Sequence, residues 1–154
     1  MNISIVKGSL TDIGDCEEAL MQSELGRKYF AAENSARKAL EEGFEKGEVY
    51  VAKAENNQCV GFMWYLLKGA FHSFPDLHIL AIKEQYRSQG IGKRMLEEFE
   101  NVGMKDSSKA FLVVADFNPK AKRLYEREGY IQVGELPSLY REGITEYLMM
   151  KTKT

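Results

Sequence analysis

With 154 residues and 44% hydrophobic content, the chain has the length and apolar fraction of one domain built on a single core. Charged residues make up 29% of it but nearly cancel, to a formal net charge of -2, so no global field draws it to nucleic acid or to an anionic membrane. Any anion site has to be local. The start, Met1-Asn-Ile-Ser-Ile-Val-Lys, lacks a basic segment followed by a long apolar run, and no stretch approaches the roughly 18 apolar residues of a membrane span. These features predict a cytoplasmic protein that holds neither nucleic acid nor membrane. The two cysteines, Cys16 and Cys59, have no Cys or His at metal-ligand spacing, so they read as reduced structural thiols and no metal is expected.

No linker, repeat or low-complexity tract divides the sequence, and Pro75, Pro119 and Pro137 each fit an element boundary. Residues 1–154 therefore read as one domain. Ile3 to Val6 is a short apolar opening strand, and Asp12 to Met21 and Ala36 to Phe44 carry helix formers with one apolar side. Val49 to Ala54 and Cys59 to Leu67 are rich in Val, Tyr, Phe, Trp and Leu, with Glu55-Asn56-Asn57 as turn material, which predicts a hairpin. After a loop around Ser73-Phe74-Pro75, Leu77 to Ile82 forms another strand. Ile91, Met95, Phe99 and Val102, spaced by four, four and three, share one face of a helix that runs to about Met104. Phe111 to Ala115 is a compact buried strand. Asn118-Pro119 opens a helix with Ala121, Leu124 and Tyr125 on one face and Gly129 at its end. Ile131 to Leu136 and Thr145 to Lys151 finish as strands. The order βααβββαβαββ describes an α/β sheet of mixed direction.

The most informative segment is Arg87-Ser88-Gln89-Gly90-Ile91-Gly92-Lys93, a glycine-punctuated turn from a strand into a helix. Without Cβ atoms in the way, several N-H groups can point outward together at the positive end of the helix dipole, which suits a phosphate or pyrophosphate. Lys93 and Arg94 in the first helical turn oppose that dipole, and Lys120, Lys122 and Arg123 repeat the pattern after Asn118. Each basic cluster alone is equally well a solvated face; the two together with the glycines point to one polyanion. A P-loop fails because Lys93 is followed by Arg94 and lies too close to Gly90, and a dinucleotide fingerprint fails at Met95.

Arg87-Ser88-Gln89-Gly90-Ile91-Gly92 resembles the Arg/Gln-x-x-Gly-x-Gly/Ala signature of the GNAT acetyltransferases, including the strand before it. Downstream, Asn118-Pro119-Lys120-Ala121 and Tyr125-Glu126-Arg127-Glu128-Gly129-Tyr130 resemble the family's Asn-x-x-Ala and Tyr-x-x-x-Gly-Phe/Tyr elements, so the recognisable region spans Leu77 to Tyr130. The resemblance implies a mixed, mainly antiparallel sheet of about seven strands flanked by about four helices and splayed at its centre. It implies acetyl-CoA as acyl donor, with pantetheine along the backbone of Leu80, Ala81 and Ile82 and pyrophosphate on the N-H groups between Arg87 and Lys93. Asn118 and Tyr125 would reach the pantetheine and sulfur. The activity implied is transfer of an acetyl group to a primary amine by direct attack in a ternary complex, as a monomer or homodimer. The amine is small or peptidic.

Such a site needs a base for the amine, a donor for the oxyanion and an acid for the thiolate. Tyr125, a phenol protonated at neutral pH, is the acid candidate. His78 is the base candidate, standing where the resemblance implies a Glu; Glu24, Glu33 and Asp76 are alternatives. Asn118 before Pro119 also suits a helix cap with no ligand at all, and Trp64 suits the core as well as the acceptor side. The Tyr29-Phe30 loop and Pro137 to Gly143 are the expected selectivity elements. Two competing readings stay open: a catalytically silent acyl-CoA-binding or sensing module, and a nucleotide- or nucleic-acid-binding regulator, for which neither a full P-loop nor a basic aromatic face is visible.

Overall fold

The computed structural model describes residues 2–154. Its elements run β1 (Ser4–Lys7), α1 (Ile13–Met21), α2 (Glu24–Tyr29), α3 (Ser35–Glu45), β2 (Val49–Lys53), β3 (Cys59–Ala70), β4 (Phe74–Ile82), α4 (Ile91–Gly103), β5 (Lys109–Ala115), α5 (Pro119–Arg127), β6 (Ile131–Pro137) and β7 (Thr145–Thr152), with short 3-10 turns at Leu10–Asp12 and Glu84–Tyr86. The seven strands form one sheet in the order β1-β2-β3-β4-β5-β7-β6. β1 and β2, β2 and β3, β5 and β7, and β6 and β7 pair antiparallel, whereas β4 and β5 are parallel through Asp76 beside Phe111 and Leu77 beside Leu112. No helix among the described residues is long and apolar enough to cross a membrane.

The contacts gather into two compact units: residues up to Tyr65 with Ile79–Glu98, and Leu66–His78 with Phe99–Thr154. In the first, α1 buries Ile13, Cys16, Ala19 and Leu20 and α3 buries Ala36, Leu40 and Gly43. The face of α3 is small where it meets β2 and β3: a Cβ on Gly43 would stand 2.9 Å from the Trp64 ring and from Val49 Cγ2. Trp64 is 8% exposed and donates from Nε1 to Glu48 Oε1 at 3.1 Å, so it is a core residue. Cys16, in α1, and Cys59, opening β3, are buried free thiols, and Cys59 donates to the Gly61 carbonyl at 3.5 Å.

The structure adds α2, which the sequence pattern leaves as a connection. Six residues with a central glycine give no helical period, and the element exists because Ser23 caps it, accepting from the Gly26 N-H at 3.0 Å, and because Gly26 fits under α1. A Cβ on Gly26 would lie 1.9 Å from the Leu20 carbonyl oxygen, a clash with backbone that no rotamer relieves. Gly26→Ala is expected to cost about 1 to 3 kcal/mol by chemical denaturation, as overpacking does. An unchanged midpoint would show that the α1–α2 corner yields.

Two further boundaries differ. Of the expected loop at Ser73-Phe74-Pro75, Phe74 and Pro75 open β4: β3 and β4 meet in a two-residue turn at Phe71 (φ 55°) and His72 (φ 59°), closed by the Ser73 N-H on the Ala70 carbonyl at 3.0 Å. Such left-handed pairs are usually Asn-Gly, so Phe-His gives no turn signal and Pro75 argues against strand. On α4, Ile91, Met95 and Phe99 are buried as expected, but Val102 is 38% exposed, while Leu96 and Met104 are buried. The adjoining Gly103 packs on Pro75, where a Cβ would stand 2.8 Å from the proline Cβ.

Candidate active site

In the first unit, β4 ends at Ile82 and its chain turns through Lys83 to Gly90 into α4. Gly61 of β3 backs this stretch closely; a Cβ there would lie 2.7 Å from the Ala81 carbonyl oxygen. Ser88 (φ 62°) and Gly90 (φ 82°) bend the turn, and a Cβ on Gly90 would meet nothing within 4 Å, so the space outside this backbone is open. Arg94 bonds back to the Gly90 carbonyl at 3.1 Å, and the preceding amides of the first helical turn are those an α-helix leaves without an internal acceptor. Ser88, Gln89, Gly90 and Lys93 are exposed, while Ile91 and Gly92 are buried. The side chain of Ile91 therefore belongs to the core. Arg94 is also exposed and lies 3.6 Å from Glu98.

The turn is braced from α1 and the residue that follows it. Arg87 donates from Nε to the Ile82 carbonyl at 3.1 Å and from Nη2 to the Gln22 carbonyl at 3.0 Å, so its guanidinium shapes the turn. Gln22 also accepts the Glu84 N-H on Oε1 at 2.7 Å. Lys83, 3% exposed, sits 2.6 Å from Asp15 and 3.4 Å from Glu18. Burial alone would lower its pKa, but the hydrogen bond to Asp15 and the two carboxylate charges outweigh this and raise it, so it stays an ammonium. Gln22 and Lys83 escape sequence reading because their partners lie about 60 residues away in the chain.

In the second unit, Asn118 caps α5, its Oδ1 accepting the Ala121 N-H at 3.4 Å ahead of Pro119. Lys122, in the basic start of that helix, is engaged with Glu126 at 3.6 Å and lies over the Tyr147 ring at 4.8 Å; Lys120 and Arg123 are exposed. Tyr125 is 8% exposed and meets the Tyr130 ring edge-on at 6.1 Å. Its hydroxyl makes no hydrogen bond within this unit, and burial pushes its pKa up to about 12.

On β4, Pro75, Leu77, Ile79 and Ala81 are buried, so Phe74, Asp76 and His78 share the other face. His78 is exposed. Asp76 is partly buried and has neither a hydrogen-bond nor an ion-pair partner among the described residues; desolvation raises its pKa to about 6. Tyr140, in the loop between β6 and β7, has its pKa raised by burial and then by the charges of Asp76 and Glu146. That loop is held by the Ser138 N-H on the Ile144 carbonyl at 3.0 Å, the Gly143 N-H on Ser138 Oγ at 3.0 Å and the Thr145 N-H on Asp116 Oδ2 at 3.0 Å.

The sequence profile of the acetyltransferase (GNAT) domain matches residues 16–153. The chain belongs to the GNAT family. An uncharacterized protein of Mycobacterium leprae is 28% identical over 156 residues, covering 97% of this GNAT chain and 41% of that protein. An uncharacterized N-acetyltransferase of Methanocaldococcus jannaschii is 36% identical over 76 residues, covering 48% of this chain and 49% of the relative. The chain thus spans about half or less of the length of these relatives. Among solved structures, a protein of Pyrococcus horikoshii superposes with a TM-score of 0.79 at 22% identity, each chain 99% covered. The PaiA N-acetyltransferase of Thermoplasma acidophilum, solved with coenzyme A, superposes at 0.75 and 20% identity, also 99% of each. At these identities the superpositions establish the GNAT fold, with its seven-stranded sheet and five helices, for the present chain.

Proposed function

We propose that this GNAT chain works as one domain that transfers the acetyl group of acetyl-CoA to a primary amine. The observation that carries the donor half is the turn at Gly90: a positive-φ glycine with open space beside it, opening α4 and braced from behind by Arg87 and Gln22. Backbone amides at a helix start that are fixed before binding suit a pyrophosphate, and Lys93 supplies charge beside them. The coenzyme A bound to the similar PaiA structure supports the same reading. Leu80, Ala81 and Ile82 offer backbone groups to pantetheine. Asn118 combines its cap with a pantetheine contact.

For the acceptor half, the amine nitrogen attacks the thioester carbonyl carbon. The N-C bond forms as the C-S bond breaks, and the nitrogen's second proton goes to the thiolate, which the Tyr125 hydroxyl stabilises, after the ammonium has given its first proton to a base. His78 and Asp76 on one strand face are the two candidates for taking that proton. The unpartnered, desolvated carboxylate favours Asp76: a base whose pKa is about 6 is ionised at neutral pH yet keeps appreciable affinity for a proton.

The donor half is tested by calorimetry and thermal denaturation. Acetyl-CoA at 100 times its dissociation constant is expected to stabilise the chain by about 2.7 kcal/mol. Gly90→Val should remove that heat. The same substitution forces a β-branched residue to φ 82° and should cost about 1 to 2 kcal/mol in the free protein. Undiminished acetyl-CoA binding by Gly90→Val would place the pyrophosphate elsewhere. A protein that binds acetyl-CoA while Tyr125→Phe and Asp76→Asn change nothing would be a sensing module instead.

A further inference from the structure

Asp76 lies at the floor of an aromatic surface. Its register partner on β5 is Phe111, on the same face of the sheet. Two more rings meet Phe111 edge-on, Phe74 at 5.5 Å and Phe71 at 5.4 Å. Phe71 is 66% exposed although its backbone is left-handed, a conformation that is strained for a bulky residue and that persists where something over-determines it. Its edge contact with Phe111 engages only part of the ring and leaves most of it to solvent. Gly69 of β3 stands across from the carboxylate; a Cβ there would be 3.1 Å from Asp76 Cβ and 3.5 Å from Oδ2. Tyr140, 49% exposed, is close enough to feel the charge of Asp76.

Each feature selects for part of an acceptor. A carboxylate with no cation of its own is complementary to an ammonium, and aromatic rings around it add cation-π attraction. The exposed parts of Phe71 and Tyr140 then offer apolar area to the body that carries the amine. The missing side chain at Gly69 leaves room for that body beside the charge. The field of Glu146 also falls on Tyr140, but Glu146 is 3% exposed, too enclosed to greet a second ammonium. The surface is built for one positive charge on an apolar group, and poorly for a polyamine.

We infer that Asp76, Gly69, Phe71, Phe74, Phe111 and Tyr140 form the acceptor subsite and that its substrate class is a primary amine carried on an aromatic-sized apolar body. This rests on the acetyltransferase reading, and the test separates the two. Calorimetry is run with and without saturating CoA, using 2-phenylethylamine and 1,4-diaminobutane as probes. The arylalkylamine is expected to bind about 10- to 100-fold more tightly, and to be acetylated with a similarly higher kcat/KM. Gly69→Val should weaken 2-phenylethylamine at least about tenfold, and Phe71→Ala and Tyr140→Ala each several-fold, with the acetyl-CoA dissociation constant unchanged within about twofold. Equal affinity for the diamine, or unchanged amine affinity in folded Gly69→Val, overturns the substrate class. Absence of acetyl-CoA heat in the wild-type protein would instead overturn the acetyltransferase reading, while the amine titration without CoA still decides the subsite.

Discussion

Tyr125→Phe is expected to fold, to bind acetyl-CoA nearly as well as the parent, and to lose about 100- to 1,000-fold in kcat, the range seen when one preorganised donor to developing charge is removed. The ring stays against Tyr130, so packing is retained. Only the hydroxyl goes. Burial, which pushes its pKa up to about 12, favours one of two roles for that hydroxyl. A thiol ordinarily titrates near 8.5, so complete proton transfer from the phenol would be uphill by roughly 3.5 pH units, about 5 kcal/mol. Tyr125 therefore serves better as a hydrogen-bond donor that steadies the departing thiolate than as the final source of its proton. A donor of this kind leaves no basic limb near pH 9 to 10 in kcat, and Tyr125→Phe should lower the whole profile without moving it. Wild-type turnover in the variant, measured as free thiol release, would mean that the thiolate leaves with solvent alone.

Asp76→Asn is expected to lose about 100- to 10,000-fold in kcat/KM while making the protein more stable. The sign follows from linkage. The folded chain holds the Asp76 proton up to about pH 6, whereas an unfolded chain releases it near 3.8. Protonation thus favours the fold, and stability falls as pH rises between about 4 and 6, reaching an unfavourable plateau above it. Two pH units correspond to at most about 3 kcal/mol before discounting for partial exposure, so the neutral amide should raise the denaturation midpoint at pH 7 and not at pH 3. In the wild type, kcat/KM should rise with pH through about 6 as the carboxylate ionises. Tyr140, which feels the Asp76 charge, and His78, two residues along the strand, are titratable neighbours of the carboxylate; His78→Ala should leave this limb in place. A limb that survives Asp76→Asn and vanishes in His78→Ala would give the proton to His78.

A carboxylate desolvated without a partner is what the proposed base requires and what a structural carboxylate avoids. Ion-paired groups elsewhere behave in the opposite sense. Asp12, 4% exposed, is held 2.6 Å from Lys53 and lies next to the Ser9 backbone N-H. Its pKa falls because those contacts outweigh its burial, so it supports the fold at neutral pH.

Much of this was written locally in the sequence. The glycines at 90 and 92, the cap and proline at Asn118-Pro119, and the apolar runs of β4 and β5 are short-range signals, because turn conformation, capping and strand composition depend on residues only a few positions apart. From those signals came the seven strands, the glycine-bent turn into α4 and membership of the GNAT family. Tertiary structure decided what depends on distant partners. α2 exists through the fit of Gly26 under Leu20, the β3–β4 turn closes at Phe71-His72 against local preference, and Arg87 is committed to Gln22, 65 residues earlier in the chain. The contrast between Asp76 and His78 is of the same kind: both are polar residues on one strand face, and the family resemblance puts His78 ahead of Asp76 as the base. Only the packing of Gly69, Phe74 and Phe111 around the carboxylate removes water from Asp76 while leaving His78 exposed, because desolvation is set by neighbours in space and carries no mark in the chain.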